Sequence, residues 1–181
     1  KTKPLIIGWA GNSLWNNKAK DEKGNAIDYK GFHTILTPVI EELKKEGYKI
    51  ETYYADKNTN YIPNDEMNNY YNALDIFICV SITEGTPKPI LEAMGCGLPI
   101  ITTDVGIVKE YMGIKQKDFI IGEREIGKDD EKIRQELKSK ILSLYDNREL
   151  LLELSYENYD NSKNFNNNAF RDKYINYFTN F

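Results

Sequence analysis

The sequence predicts an α/β fold, a Rossmann-like doubly wound sheet of parallel strands. Short apolar runs alternate along the chain with amphipathic segments, which is typical of repeated strand–helix units with right-handed crossovers. Glycines follow several of these segments, at the places where helices and strands are expected to stop. The 181 residues, of which 40% are hydrophobic, suffice for one domain with a substantial core.

The first elements follow from hydrophobic pattern and turn residues. The apolar run 4–10 predicts a buried strand, and the polar stretch 11–29 predicts a long loop. Apolar residues recur with a helical period over 32–46, where Pro38 should kink the helix or mark its true start. The β-branched and aromatic run 49–54 predicts the second strand.

The middle of the chain repeats this alternation. A helix is predicted over 65–74 and is followed by an apolar strand over 75–81. A short helix over 89–95 has proline at its first position and a glycine at its end. The run 98–102 predicts another strand, and 105–112 a short helix.

The last third is predicted to be mostly helical. A strand over 118–121 precedes three helices, at 129–145, 148–161 and 167–178. All of these elements can belong to a single domain that spans 1–181.

Composition and charge exclude several classes of function. A net charge of −4 and a pI near 5.2 do not favour nucleic acid or an anionic membrane as a partner. No apolar run is long enough to span a bilayer. Cys79 and Cys96 fall in predicted core elements and need no disulfide, which predicts a reduced, cytoplasmic setting. No metal-binding constellation surrounds His33, the only histidine.

The most informative segment lies between the strand 75–81 and the helix that follows it. Glu84 and Glu92 are separated by seven residues across a turn that is rich in glycine and proline. Backbone amides of this turn and the start of the helix form a favourable phosphate site. Two carboxylates beside phosphate need hydroxyl groups from which to accept hydrogen bonds, and sugars provide them. The segment therefore predicts a sugar-nucleotide site at the carboxyl ends of the strands.

The segment EGTPKPILEAMGCG, from Glu84 to Gly97, resembles the E-x7-E motif of GT-B glycosyltransferases, especially the retaining enzymes of family 4. The similarity continues through Asp104-Val105-Gly106. The Lys30-Gly31-Phe32 segment resembles the start of the family's first helix. The resemblance covers most of the chain, but only the C-terminal, donor-binding half of such an enzyme.

The resemblance implies a role for each site residue. Glu92 would hold the ribose, whereas the catalytic pair would be Glu84, on the transferred sugar, and Lys30, on the diphosphate. Trp9 stands where the family often has an arginine, and Lys88 or Lys18 could supply the missing charge. The remaining nucleotide-sugar contacts would come from the turn donors, from the residue beside the base, and from the turn after the first strand: Gly85, Thr86, Lys88, Ile62, Gly11 and Asn12.

The resemblance also implies a function. An NDP-sugar, with UDP or GDP as its nucleotide, would donate a hexosyl group to an acceptor hydroxyl with retention, in glycan or polysaccharide biosynthesis and without an obligatory metal. A glycan or lipid-linked acceptor would bind a separate N-terminal domain, so this chain alone would be inactive, and 147–181 would pack on that domain. The whole protein would be cytoplasmic, at the inner face of the membrane. A sugar-nucleotide epimerase, a phosphorylase and a non-catalytic α/β module are the alternatives.

Overall fold

The computed structural model describes residues 3–16, 18–128 and 130–165, in which five strands form one parallel sheet. The order across the sheet is β2-β1-β3-β4-β5. The strands in chain order are β1 Leu5–Gly11, β2 Ile50–Asp56, β3 Ile76–Cys79, β4 Ile100–Thr103 and β5 Ile120–Ile121. The predicted parallel α/β fold is confirmed.

Helices connect the strands and follow the last of them. Their bounds are α1 Thr37–Lys45, α2 Met67–Asn72, α3 Lys88–Gly95, α4 Val108–Tyr111, α5 Glu131–Asp146 and α6 Arg148–Ser162. A π-helical turn over Phe32–Leu36 precedes α1, so Pro38 lies in the first turn of α1 and marks its start. A proline is accepted there because the first amides of a helix have no intrahelical partner. The helix predicted at 167–178 lies outside the described residues.

Helices cover both faces of the sheet, as the doubly wound fold requires. On one face Leu5, Ile7 and Trp9 pack with the buried sides of α1 and α5. On the other face the buried residues of α2, α3 and α4 form a second cluster that includes Tyr71 and Phe77. Strand side chains alternate between the two clusters, so β1 and β3 contribute to both.

The last described helix packs on this same domain. In α6, Leu151 and Leu154 join the first core cluster, while Tyr156 and Tyr159 are exposed on the outer side. Within the described ranges, no helix combines the length and the apolar character needed to cross a bilayer.

Candidate functional site

Two adjoining cavities lie at the carboxyl edge of the sheet. The larger, of about 870 Å³, lies among the ends of β1 and β2 and the helices α2 and α3. The smaller, of about 230 Å³, lies between the end of β1, the turn that follows it, and the loop after β3. They share a wall made of Ala10, Gly11, Lys57 and Pro89. Because β2 and β3 flank β1 on opposite sides, the strand order reverses at this point, where open α/β sheets bind their ligands.

Glu84 and Lys30 meet in the smaller cavity. Glu84 Oε1 accepts hydrogen bonds from Lys30 Nζ at 2.6 Å and from Ser81 Oγ at 2.7 Å. Both side chains of the ion pair are about four-fifths buried. The other oxygen, Glu84 Oε2, accepts no hydrogen bond from the described part of the chain. The pair therefore leaves one carboxylate oxygen and two of the three lysine N–H groups available to a ligand.

The turn that carries Lys30 is tightly docked on the end of β3. The amide of Ile82 donates to the carbonyl of Tyr29 at 2.8 Å. Gly31 has a φ of 65°, and a Cβ there would lie 2.3 Å from the carbonyl oxygen of Val80. Only glycine is compatible with this close approach of two backbones. The position of the Lys30 side chain thus depends on packing that the sequence motif does not reveal.

Arg124 connects this turn to the sheet from below. Its side chain is 3% exposed, and its Nη1 donates to the carbonyls of Val80, at 2.7 Å, and Asp28, at 3.2 Å. Its Nε and Nη2 form a bidentate pair with the carboxylate of Asp130. Sequence reasoning missed this residue, since an arginine in the charged stretch GEREIGKDD is typical of an exposed loop.

Glu92 lies in the larger cavity and is oriented by Tyr71. The Tyr71 hydroxyl donates to Glu92 Oε2 at 2.8 Å. Burial and the neighbouring Glu92 carboxylate raise the pKa of Tyr71 well above its usual range, so the phenol keeps its proton and remains a donor. Ile62 and the Lys88 side chain line the same cavity. Sequence reasoning placed Tyr71 only on a helix, and its hydroxyl contact could not be read from that position.

The turn after β3 differs from the expected donor arrangement. Gly85 and Thr86 are exposed and line neither cavity. The Lys88 amide donates to the carbonyl of Thr86 at 2.8 Å, so this expected backbone donor is already occupied. Gly106, with a φ of 53°, packs so closely that a Cβ would lie 2.0 Å from the Gly85 carbonyl oxygen.

The turn after β1 is held by Asp56, the last residue of β2. Asp56 accepts hydrogen bonds from the Ser13 amide at 3.0 Å and the Ser13 hydroxyl at 2.8 Å. Burial alone would raise the pKa of Asp56, but these and further hydrogen bonds outweigh it and lower the pKa. Asn12 Oδ1 accepts from the Leu14 amide and from Asn58, so the Asn12 side chain shapes the turn.

Lys57 is a cation that sequence reasoning missed. It lies in the shared wall of the two cavities, and its exposed ammonium takes part in no salt bridge with another described residue. Lys18 lines neither cavity, and Trp9 is buried in the core. The positive charge nearest the boundary between the cavities therefore comes from the residue that follows β2.

No metal-binding group of histidine, cysteine and acidic residues was found in 3–16, 18–128 and 130–165. Cys79 and Cys96 are both free, in agreement with the prediction that they need no disulfide. Burial, together with Glu84 for Cys79 and Glu92 for Cys96, raises the pKa of each thiol. Both therefore remain protonated thiols at neutral pH.

The chain is similar to known glycosyltransferases. The family model described as "Glycosyl transferases group 1" matches residues 40–160, which is more than half of the chain. Protein CapJ from Staphylococcus aureus is 30% identical over 120 residues, which are 52% of this chain and 30% of CapJ. O-antigen chain mannosyltransferase B from Escherichia coli is 30% identical over 86 residues, 47% of this chain and 21% of that protein.

A solved structure shows the same fold. The Anabaena protein Alr3699/HepE, in complex with UDP and glucose, superposes with a TM-score of 0.67 at 13% identity. The match covers 98% of this chain and 49% of that one. The chain thus spans less than half the length of each of these three proteins.

Proposed function

Because the chain belongs to the glycosyl transferases group 1 family, we propose that it binds a nucleoside diphosphate sugar and that the whole protein transfers the sugar to an acceptor hydroxyl. The observation that carries the proposal is the pair of adjoining cavities, each with one carboxylate: Glu92 in the larger, Glu84 in the smaller. A nucleoside and a hexose, joined by a diphosphate, have this same division into three parts.

The larger cavity suits the nucleoside. Glu92 would accept hydrogen bonds from the ribose hydroxyls, in the way that an acidic residue holds ribose in dinucleotide-binding folds. Ile62 would provide an apolar surface beside the base. The hydroxyl of Tyr71 occupies one Glu92 oxygen, which leaves the other for the ribose.

The shared wall suits the diphosphate. Lys57 stands at this wall, and Lys30 lies beside it in the smaller cavity. Gly11 allows close approach because it has no side chain. Bond cleavage between the sugar and the diphosphate leaves negative charge on the phosphate, and the two ammonium groups would stabilise it in the transition state.

The smaller cavity suits the transferred sugar. The free Oε2 of Glu84 would accept hydrogen bonds from sugar hydroxyls, while Oε1 stays bound to Lys30 and Ser81. We propose transfer of a hexosyl group with retention of configuration, as the resemblance to family 4 implies. The other proposed binding residues, Gly85, Thr86, Lys88 and Asn12, would act at the edges of this path.

The relatives suggest a setting for the reaction. One is named an O-antigen chain mannosyltransferase, and the Anabaena structure holds UDP and glucose. We therefore propose polysaccharide biosynthesis on the cytoplasmic side of the membrane, with a UDP- or GDP-sugar donor and a glycan or lipid-linked acceptor. The acceptor would bind an N-terminal domain that the present chain lacks, against which 147–181 would pack, so the chain alone would bind donor without transferring sugar.

Titration calorimetry of the chain with UDP, GDP, ADP, UDP-glucose and GDP-mannose tests the proposal. We expect saturable one-to-one binding of one of the nucleotides and of its sugar conjugate, because both carboxylates are already oriented. A thermal shift with the same ligands gives a second measurement. If none of the five ligands binds, the chain is not a donor domain, and the non-catalytic module becomes the better description.

Replacement of Lys57 by alanine should weaken the nucleotide and its sugar conjugate equally, each by about tenfold, because a charge-assisted hydrogen bond contributes roughly 1.5–3 kcal/mol. The loss should shrink as salt is added, since Lys57 is exposed. Lys44→Ala, on the exposed side of α1, is the matched control and should bind normally. An unchanged affinity in Lys57→Ala would place the diphosphate elsewhere.

A further inference from the structure

Trp15 is an exposed aromatic side chain at the edge of the smaller cavity. It is 46% exposed and lines the cavity together with Lys30 and Glu84. The adjacent Leu14 is 47% exposed and does not line it. A single exposed apolar residue needs no explanation. An indole on the wall of a cavity that holds a carboxylate–ammonium pair is a different situation, because it places an apolar surface opposite polar groups.

The position of Trp15 is fixed by the surrounding structure. Its amide donates to the carbonyl of Asn12 at 3.0 Å, within the turn that Asp56 anchors through Ser13. Its ring meets the ring of Tyr29 edge-on, with centroids 5.1 Å apart. These contacts hold the indole at the cavity before any ligand binds.

The indole also contacts the proposed catalytic pair. Lys30 Nζ lies 5.6 Å from the centroid of the Trp15 ring, within the range of a cation–π interaction. The same ammonium donates to Glu84. Trp15, Lys30 and Glu84 therefore form three sides of one small space, of which one is apolar and two are charged.

We propose that Trp15 is the stacking wall for the transferred sugar and so determines which sugar the smaller cavity accepts. This inference rests on the proposed function. A pyranose ring has a patch of C–H groups on one face and hydroxyls around its rim. The C–H patch would lie on the indole, which offers a large apolar surface, while rim hydroxyls reach Glu84 Oε2.

The size of the space fits this ligand. A cavity of about 230 Å³ holds the volume of about eight waters at roughly 30 Å³ each, which suits one sugar ring better than an oligosaccharide. The hydroxyl pattern that points away from the indole would meet Glu84. Sugars with a bulky or charged group on the face that stacks would be rejected, because they would lose contact with the ring.

The test compares a nucleotide with its sugar conjugate in the Trp15→Ala chain. With UDP and UDP-glucose, or GDP and GDP-mannose, the affinity for the nucleotide should stay unchanged, while the conjugate should bind about fivefold to tenfold more weakly. Trp15→Phe should restore most of the loss, since it keeps an aromatic ring. Leu14→Ala, in the same turn and equally exposed, should bind both ligands like the native chain.

Fluorescence gives a second measurement that a merely structural role would not change. The chain has two tryptophans, Trp9 in the core and Trp15 at the cavity. The sugar conjugate should protect the native chain from acrylamide quenching more than the nucleotide does, and Trp15→Phe should abolish that difference.

Two outcomes would overturn the assignment. Equal losses for nucleotide and conjugate in Trp15→Ala would show that the indole supports the nucleotide site as a whole. An unchanged ratio of the two affinities would show that the sugar does not touch it. If no nucleotide binds even the native chain, the proposed function fails and this assignment fails with it.

Discussion

Replacement of Glu92 by alanine should weaken binding of the nucleotide by about tenfold to a hundredfold. The loss corresponds to one charge-assisted hydrogen-bonding group, which contributes roughly 1.5–3 kcal/mol. Tyr71 already holds one oxygen of this carboxylate, so the other is oriented for the ribose. Titration calorimetry with UDP and GDP measures the change directly, and the conjugate should lose as much as the nucleotide.

Controls separate the carboxylate from the space it fills. Glu92→Gln keeps the volume and removes the charge, so its affinity should fall between those of the native chain and Glu92→Ala. Glu110→Ala removes an exposed glutamate from α4 and should have no effect, because Glu110 lines neither cavity. Full affinity in Glu92→Ala would refute the assignment of the ribose to this residue.

Replacement of Arg124 by methionine should lower the free energy of unfolding by about 3 kcal/mol, because removal of one partner leaves a largely buried carboxylate without its counterion. Asp130 would lose a bidentate partner, and the carbonyls of Val80 and Asp28 would lose their donor. Urea denaturation followed by far-ultraviolet circular dichroism measures the loss.

A second ion pair provides the comparison. Lys115 pairs with Glu153, and both side chains are about half exposed. Lys115→Met should therefore cost less than about 1 kcal/mol, as is usual for exposed pairs. Equal losses in the two variants would mean that Arg124 is not a buried anchor. If Arg124→Met folds, its nucleotide affinity should also fall, because the turn that carries Lys30 is no longer tied to β3.

The sequence predicts the fold well because local patterns determine it. The apolar strands and the helical periods give the element order, and Pro38 lies where its missing amide is tolerated. The bounds are less accurate. The first helix begins with a π-helical turn, and β2 runs two residues beyond the predicted strand to Asp56. Asp56 stays in the strand because its carboxylate is bound by the turn after β1, a long-range contact that no local pattern contains.

The site is predictable only in part. The motif gives Glu84, Glu92 and Lys30, and their placement around two cavities stays a prediction in its roles. Lys57 and Arg124 have no local signal, because each acts through residues distant in the sequence. The turn donors show the opposite difficulty. The motif predicts an amide at Lys88, but the turn after β3 folds back and its own carbonyl occupies that amide.

The hydrogen bonds around Glu84 have an entropic consequence. Ser81 and Lys30 hold its carboxylate in one rotamer, and Lys30 is itself held by its turn and by Trp15. Immobilising a flexible side chain on binding costs roughly 0.5–1.5 kcal/mol. Here most of that loss of freedom occurs when the chain folds. A donor sugar would therefore meet carboxylate and ammonium groups that are already at rest, and its association would be opposed mainly by the ordering of the ligand itself.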